Sequence, residues 1–325
     1  MHRLRQTRGE EGLLRALLLR RLRARSSEAG DSQTPNGRLR EMPSIDLARL
    51  RKQASRLADF FFVPDEFTRQ LNAVLDSYVN YTRRKSQAVA PGVKLPSLRT
   101  PSVVLRQIEL ELGALAGSKE NSEAAIALAD RLWSEGSLQT RLLAGFILGR
   151  MPPQEDQLMT RLPSWIAQSR DGDLRNRLLD EGLVRLRREA SSGFLQLLEA
   201  WLTADEPRSW SDAIRAATAA IKDPAFSEVP PLLKALERAL QASPPELQLD
   251  VEELIAALYA VAPSETTYYV RQILTSSANP STAAHFRRMA PSLPRELRTA
   301  IREVAGRSGS PPGQAGGTDR HRRSL

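Results

Sequence analysis

Three places along the chain set carboxylates close together, as a general acid and base would need: Glu155 with Asp156, Asp171 with Asp173, and Glu252 with Glu253. Each falls near the start of an expected helix, where acids are ordinary partners of the helix dipole. They read as helix-start residues, and no catalytic residue is assigned. One imidazole lies in the body of the chain, His285 in STAAHFRRMA, since His2 and His321 sit near the ends. A lone histidine beside an apolar helix face reads as a packed residue, and it leaves a Ser/His/Asp triad or a histidine metal site a single candidate. There is no cysteine, so disulfides, thiolate zinc sites, iron–sulfur clusters and cysteine nucleophiles are excluded. The glycine-rich stretch GSPPGQAGG lacks the preceding strand, following helix and Lys-Ser/Thr of a phosphate loop. Neither a cofactor nor a metal is expected.

What remains is binding chemistry. Basic clusters occur at Arg83/Arg84/Lys85, Arg185/Arg187/Arg188 and Arg287/Arg288, and Tyr268 and Tyr269 precede Arg271. Guanidinium groups attract phosphates and aromatic faces stack on bases. The candidate nucleic-acid-binding residues are therefore Arg185, Arg187, Arg188, Trp210, Arg215, Tyr269, Arg271, Arg287 and Arg288. The partners this admits are duplex DNA or another protein. The net charge of +9 is not spread evenly: residues 1–40 carry +6 and residues 306–325 carry +3, so residues 41–305 are neutral. The basic character belongs to the ends, and the clusters in the body read equally as a solvated face. Trp133, Trp165, Trp201 and Trp210 each fall in a different helix, which suits the core of a repeat better than a base-stacking platform.

The elements that must position these residues are helices. Apolar residues recur at three- and four-residue steps, as in Leu138, Leu142, Leu143, Phe146 and in Leu174, Leu178, Leu179, Leu183, Leu186, and no run of alternating β-branched residues competes. Ser44, Thr100, Ser118, Ser137 and Asn279 are expected helix starts, and Gly117, Gly136 and paired prolines such as Pro152-Pro153 are expected stops. Pairing the helices gives units beginning near 118, 154, 190, 226 and 264. That period predicts an all-α, HEAT-like or armadillo-type solenoid of antiparallel helix pairs, with a non-repetitive bundle as the alternative.

The expected organisation is a basic N-terminal extension over 1–41, a helical hairpin over 42–84, a loop over 85–100, the repeat array over 101–305 and a basic tail over 306–325. The extension is read as disordered or as the product of an early start codon, with Met42 the true beginning; its stretch GLLRALLLRRLRAR could instead be a helix for an anionic surface, or a transit-like segment. The run Leu13 to Leu19, broken by Arg15, is far short of the roughly 20 residues of a membrane span. A cytoplasmic protein without a membrane partner is expected.

The stretch ALADRLWSEGSLQTRLLAGFILGRM at 127–151 resembles the DNA alkylation repair family of HEAT-like-repeat glycosylases. The likeness continues through LPSWIAQSRDGDLRNRLLDEGLVRL (162–186), SWSDAIRAATAAI (209–221), DVEELIAALYAVAPSETTYYVRQIL (250–274) and AAHFRRMAPSLP (283–294). It rests on helix order, spacing and a few anchors over residues 100–305. The resemblance implies release of positively charged alkylated purines from DNA, with an indole and a carboxylate beside the target nucleotide. Those two family positions fall here on Gly172 and Asn176, and the family's Trp-x-Arg-Arg anchor becomes Trp210, Ser211, Asp212, Ala213, with Arg215 the nearest guanidinium. Asparagine carries no negative charge to stabilise an oxocarbenium-like sugar. A one-turn shift would bring Asp173 or Asp180 to the place of the acid.

Three readings follow. The chain is a non-catalytic HEAT-like binding or scaffold protein related to DNA alkylation repair proteins; or a DNA glycosylase with a displaced acid, which needs a basic concave surface and a buried acid beside an indole; or a protein-interaction solenoid with an exposed apolar groove.

Overall fold

The computed structural model describes residues 45–79, 100–153, 155–242 and 244–307. The regular elements among them are helices throughout: α1 (Leu47–Ala58), α2 (Pro64–Ser77), α3 (Ser102–Gly117), α4 (Ser122–Glu135), α5 (Leu138–Arg150), α6 (Glu155–Gln168), α7 (Gly172–Asp180), α8 (Val184–Glu189), α9 (Ser191–Thr203), α10 (Pro207–Lys222), α11 (Val229–Ala242), α12 (Gln248–Val261), α13 (Pro263–Ser276), α14 (Pro280–Met289) and α15 (Arg295–Arg307). The described residues are all-α, as the periodicity predicts.

Helix ends follow the local chemistry. Ser137 caps α5 by accepting from the Thr140 amide at 3.2 Å, and Asn279 caps α14 by accepting from the Ser281 amide at 2.9 Å. Gly136 closes α4 with φ of 83°, a left-handed conformation that costs glycine nothing. Three starts differ from expectation. Ser118 precedes a single 3-10 turn, Lys119–Asn121, and caps nothing with its side chain, so α4 begins at Ser122. Asp46 caps α1, accepting from the Ala48 and Arg49 amides at 3.0 Å, whereas Ser44 lies outside the described residues. Thr100 does not cap α3, which begins after Pro101; its hydroxyl donates instead to the Leu75 carbonyl at the end of α2.

Packing arranges alternate helices in two rows. In one row α1 packs on α3, α3 on α5, α5 on α7, α7 on α10 and α10 on α12; in the other, α2 packs on α4, α9 on α11, α11 on α13 and α13 on α15. Helix pairs begin at 122, 155, 191, 229 and 263, within a few residues of the punctuation read from the sequence. The short α8 is an extra element between α7 and α9. One apolar core runs from Leu50 to Ile301 and includes Phe61, Phe67 and Leu71 of the first hairpin, so that hairpin shares the core of the helices that follow. Most of the expected loop over 85–100, the extension over 1–41 and nearly all of the tail over 306–325 lie outside the described residues.

Two close contacts set the geometry. The indoles of Trp133 on α4 and Trp165 on α6 stack with centroids 4.3 Å apart and planes within 1°, and the Arg141 guanidinium lies 4.7 Å from the Trp133 ring centre. Gly145 and Gly149 let α5 meet α7: a Cβ on Gly149 would stand 1.8 Å from the Glu181 carbonyl oxygen, and one on Gly145 would stand 2.7 Å from Leu178. At Gly149, where the facing atom is backbone, only a residue without a side chain tolerates that approach.

Candidate binding groove

The row α3, α5, α7, α10, α12 carries three cavities that share walls. The first, about 540 Å³, is framed by Pro101, Val103, Leu105, Leu138 and Leu142, with Arg106, Glu109, Asp173 and Arg177 among its polar groups. The second, about 110 Å³, lies among Arg106, Glu109, Phe146, Arg150, Glu181 and Val184. The third, about 440 Å³, opens between α7, α10 and α12 and is lined by Asn176, Arg177, Asp180, Arg215, Lys222 and Asp250. Arg106 and Glu109 line the first two and Arg177 lines the first and third, so the three adjoin along the row and are described together as a groove.

At its centre Arg177 joins two carboxylates. Its Nη2 donates to Glu109 Oε1 at 3.0 Å and its Nη1 lies 2.7 Å from Glu181 Oε1. Glu109 comes from α3 and its side chain is only 8% exposed, while Glu181 stands at the C-cap of α7, placed against α5 by the Gly149 contact. Burial raises the Glu109 carboxyl above its ordinary value, with Arg177 opposing and Glu181 adding to the rise. The same holds at Glu181, where burial raises the carboxyl, Arg177 opposes and Asp180 adds. One guanidinium is thus shared by two partly desolvated acids, and Arg106 and Arg150 stand near enough to act on both.

The groove continues as a chain of ion pairs between neighbouring units. Arg175 on α7 pairs with the buried Asp212 on α10, and Arg215 on α10 donates to Asp250 of α12 at 2.7 Å and to the Asn176 side-chain oxygen at 2.8 Å. Lys222 on α10 meets Glu253 on α12 at 2.6 Å. Asn176, at the position the resemblance assigns to an acid, therefore faces the groove, and the space around a side chain at Gly172 is open. Of the two displaced acids, Asp173 lines the first cavity and Asp180 the third.

The nucleic-acid-binding candidates are distributed otherwise. Arg185 holds Glu189 and donates to the Gly117 and Arg150 carbonyls, closing the C-terminal ends of α3 and α5. Arg187 is buried and bonded to Asp223 and Asp180, and Arg188 grips Asp223 with two bonds of 2.8 and 3.0 Å. Trp210 donates its indole N–H to the Ala204 carbonyl. Tyr269 is buried and donates to the Leu233 carbonyl; burial pushes its phenol well above the usual range. Arg271 pairs with Glu303 on α15 at 2.6 Å. Arg287, which donates to the Ala283 carbonyl, and Arg288 are exposed on α14. Arg215 is the member of the set that lines the groove. Arg185, Arg187, Arg188 and Arg271 are partners of acids and helix ends, and the cluster Arg83/Arg84/Lys85 lies outside the described residues.

Sequence reading missed Glu109, Arg177 and Glu181. The sign was there at Glu109, which falls on the buried stripe of α3 between Leu105 and Leu112, where a charge must find a partner. His285 is fully buried, and among the described residues no group of His, Cys, Asp or Glu is placed to hold a metal. No described helix is long and apolar enough to cross a membrane.

No protein family matches the sequence, and no curated protein matches it. A crystal structure of an engineered protein from the Northeast Structural Genomics Consortium aligns over 81% of this chain and 70% of its own, at 15% identity and a TM-score of 0.26, a likeness too slight to bear on function.

Proposed function

We propose that the chain is a non-catalytic, HEAT-like helical-repeat scaffold of the cytoplasm that receives a segment of a partner protein in the groove along α3, α5, α7, α10 and α12. The observation that carries this reading is the balance of the groove's charges: Arg106, Arg150, Arg177, Arg215 and Lys222 are interleaved with Glu109, Asp173, Asp180, Glu181, Asp250 and Glu253. A duplex demands a surplus of cations facing phosphates. A protein segment, which carries both signs and apolar side chains, matches a mixed surface better. The test places a photo-crosslinking residue at Asn176 in the groove or at Thr275 on the exposed side of α13, in the full-length chain. A protein adduct of one mass from position 176 and none from position 275 is the expected result. Nucleic-acid adducts from position 176 would sink the reading.

A second reading, a DNA glycosylase of the alkylation repair kind, draws support from the buried Glu109 and the half-buried Glu181, acids inside a groove. The aromatic lining the cavity beside them is Phe146 rather than an indole. Its test is duplex binding across a salt series, on plain and abasic DNA, followed by base release from an alkylated duplex. Preference for the lesion and loss of release in Glu109→Gln would support it. Equal, salt-sensitive binding to both duplexes would mark the contact as nonspecific and count against this reading.

A further inference from the structure

From α7 onward, among the described residues, the ion pairs that join a helix to the next one in its row all run the same way. The cation stands on the earlier helix and the acid on the later one: Arg175 with Asp212, Arg215 with Asp250, Lys222 with Glu253 and Arg271 with Glu303.

The last described helix pair presents cations that no later helix meets. α14 and α15 carry the exposed Arg287, Arg288, Arg295 and Arg302 and the half-buried Arg298, against two acids, Glu296 and Glu303. Both acids are engaged: Glu303 by Arg271, and Glu296 by the Tyr259 hydroxyl, which donates to it at 2.8 Å. Among the described residues none of the five arginines has an ion pair; Arg287 bonds the Ala283 carbonyl of its own helix, and the buried Arg298 Nε has no acceptor. Helical spacing sorts the charges of α15. Glu296 and Glu303, seven residues apart, share the side turned back toward Tyr259 and Arg271. Arg295, Arg298 and Arg302, at steps of three and four, form a second stripe, about a third of a turn away and about 10 Å long.

We propose that this stripe docks an acidic helix of a partner protein, whose carboxylates recur at three- and four-residue steps and stand where the acids of a following helix would. The contact is separate from the groove and does not depend on what the groove binds. Residues 308–325 hold one acid, Asp319, so they cannot supply such a helix. A second copy meeting the stripe end to end would offer α1 and α2. Arg49, Arg51, Lys52 and Arg56 are the charges within α1, and on α2 Asp65 and Glu66 are held by Arg131 and Arg69, which leaves Asp76. Phe286 is buried and no large apolar side chain is exposed on α14 or α15, so among the described residues this end offers neither a ring for stacking bases nor an anchor for lipid. A duplex asks for cations spread over a surface, whereas the stripe is one helix wide.

The experiment gives the full-length protein two labelled, alanine-based peptides of about 20 residues, long enough to be helical in water, with one composition. One peptide sets its glutamates three and four residues apart on one side of the helix; the other spreads them around it. Fluorescence anisotropy reads the affinities. The basic ends of the chain attract both peptides alike, so the difference between the two reports the stripe. The one-sided peptide is expected to bind about tenfold more tightly, as three surface pairs add, and the preference should fade at high salt. Arg295→Gln with Arg302→Gln should erase the preference, whereas Arg51→Gln with Arg56→Gln, also exposed, should leave it intact. Equal affinity of the two peptides, a preference that survives the α15 substitutions, or no binding of either would overturn the proposal. A short DNA duplex or phosphatidylserine vesicles whose binding falls as far as the peptide's on those substitutions would assign the stripe to phosphates, and would overturn it as well.

Discussion

Gly149 and Glu181 stand so close that a Cβ on the glycine would come within 1.8 Å of the Glu181 carbonyl oxygen. That contact seats the C-terminal end of α7 on α5, while Glu181 meets Arg177 as its i+4 neighbour on the same helix. Gly149→Ala forces backbone against backbone, which nothing nearby can relieve by turning a side chain. It should destabilise by about 1–3 kcal/mol, read from the denaturant midpoint. Gly172→Ala meets open space and should be neutral or mildly stabilising, within about 1 kcal/mol. Equal stability of the two variants would remove the close approach from the account.

The Arg177 bridge gives stability a definite pH dependence. Burial raises Glu109 above its ordinary value of 4.5, so the folded state holds its proton more tightly than the unfolded chain. The stability this contributes is full below the unfolded value and is lost as pH rises through the folded one. Glu109→Gln removes that loss, so its stability relative to the wild type should improve from about pH 4 toward neutrality. A constant difference in denaturant midpoint across that range would refute the burial argument. Arg177→Ala should be worse than Glu109→Gln at neutral pH, because it leaves two desolvated acids without their shared cation.

Asp223 has the opposite sign. Burial alone would raise it, but Arg188, the Ala225 amide and Arg187 together hold it below its ordinary value of 3.8. Its contribution is present above that value and is lost as pH falls through the folded one. Its side chain is 2% exposed and that of Arg187 is 5% exposed, so Asp223→Asn leaves a buried guanidinium with Asp180 as its one remaining acid, at 3.4 Å. A loss of about 3 kcal/mol or more is expected in urea unfolding at neutral pH. Arg188→Ala, at 44% exposure, should cost under about 1 kcal/mol.

The indole stack ties α4 to α6. Trp165→Ala opens a cavity against Trp133 and should cost about 3–5 kcal/mol, with Trp165→Phe costing less because a ring still covers the Trp133 face. Chemical denaturation of both variants checks the order, and a Phe variant as damaged as the Ala variant would argue against stacking as the source.

Local chemistry was legible in the sequence wherever it acts over a few residues. Apolar steps of three and four, the caps Ser137 and Asn279, and the left-handed Gly136 predicted helices and their pairing, because each depends on neighbours within one or two turns. The neutrality of the body was legible as well, since charge is additive along a chain.

The tertiary structure decided which charges are available. Arg185, Arg187, Arg188, Arg215 and Arg271 look alike in sequence, but each owes its role to an acid or a helix end tens of residues away or to a neighbour one turn on. Glu109 and Arg177 are 68 residues apart and meet only because α3, α5 and α7 stack in one row. Helical periodicity says which face of a helix is buried. It does not say which partner a buried charge will meet, and in this chain that partner determines the chemistry of the groove.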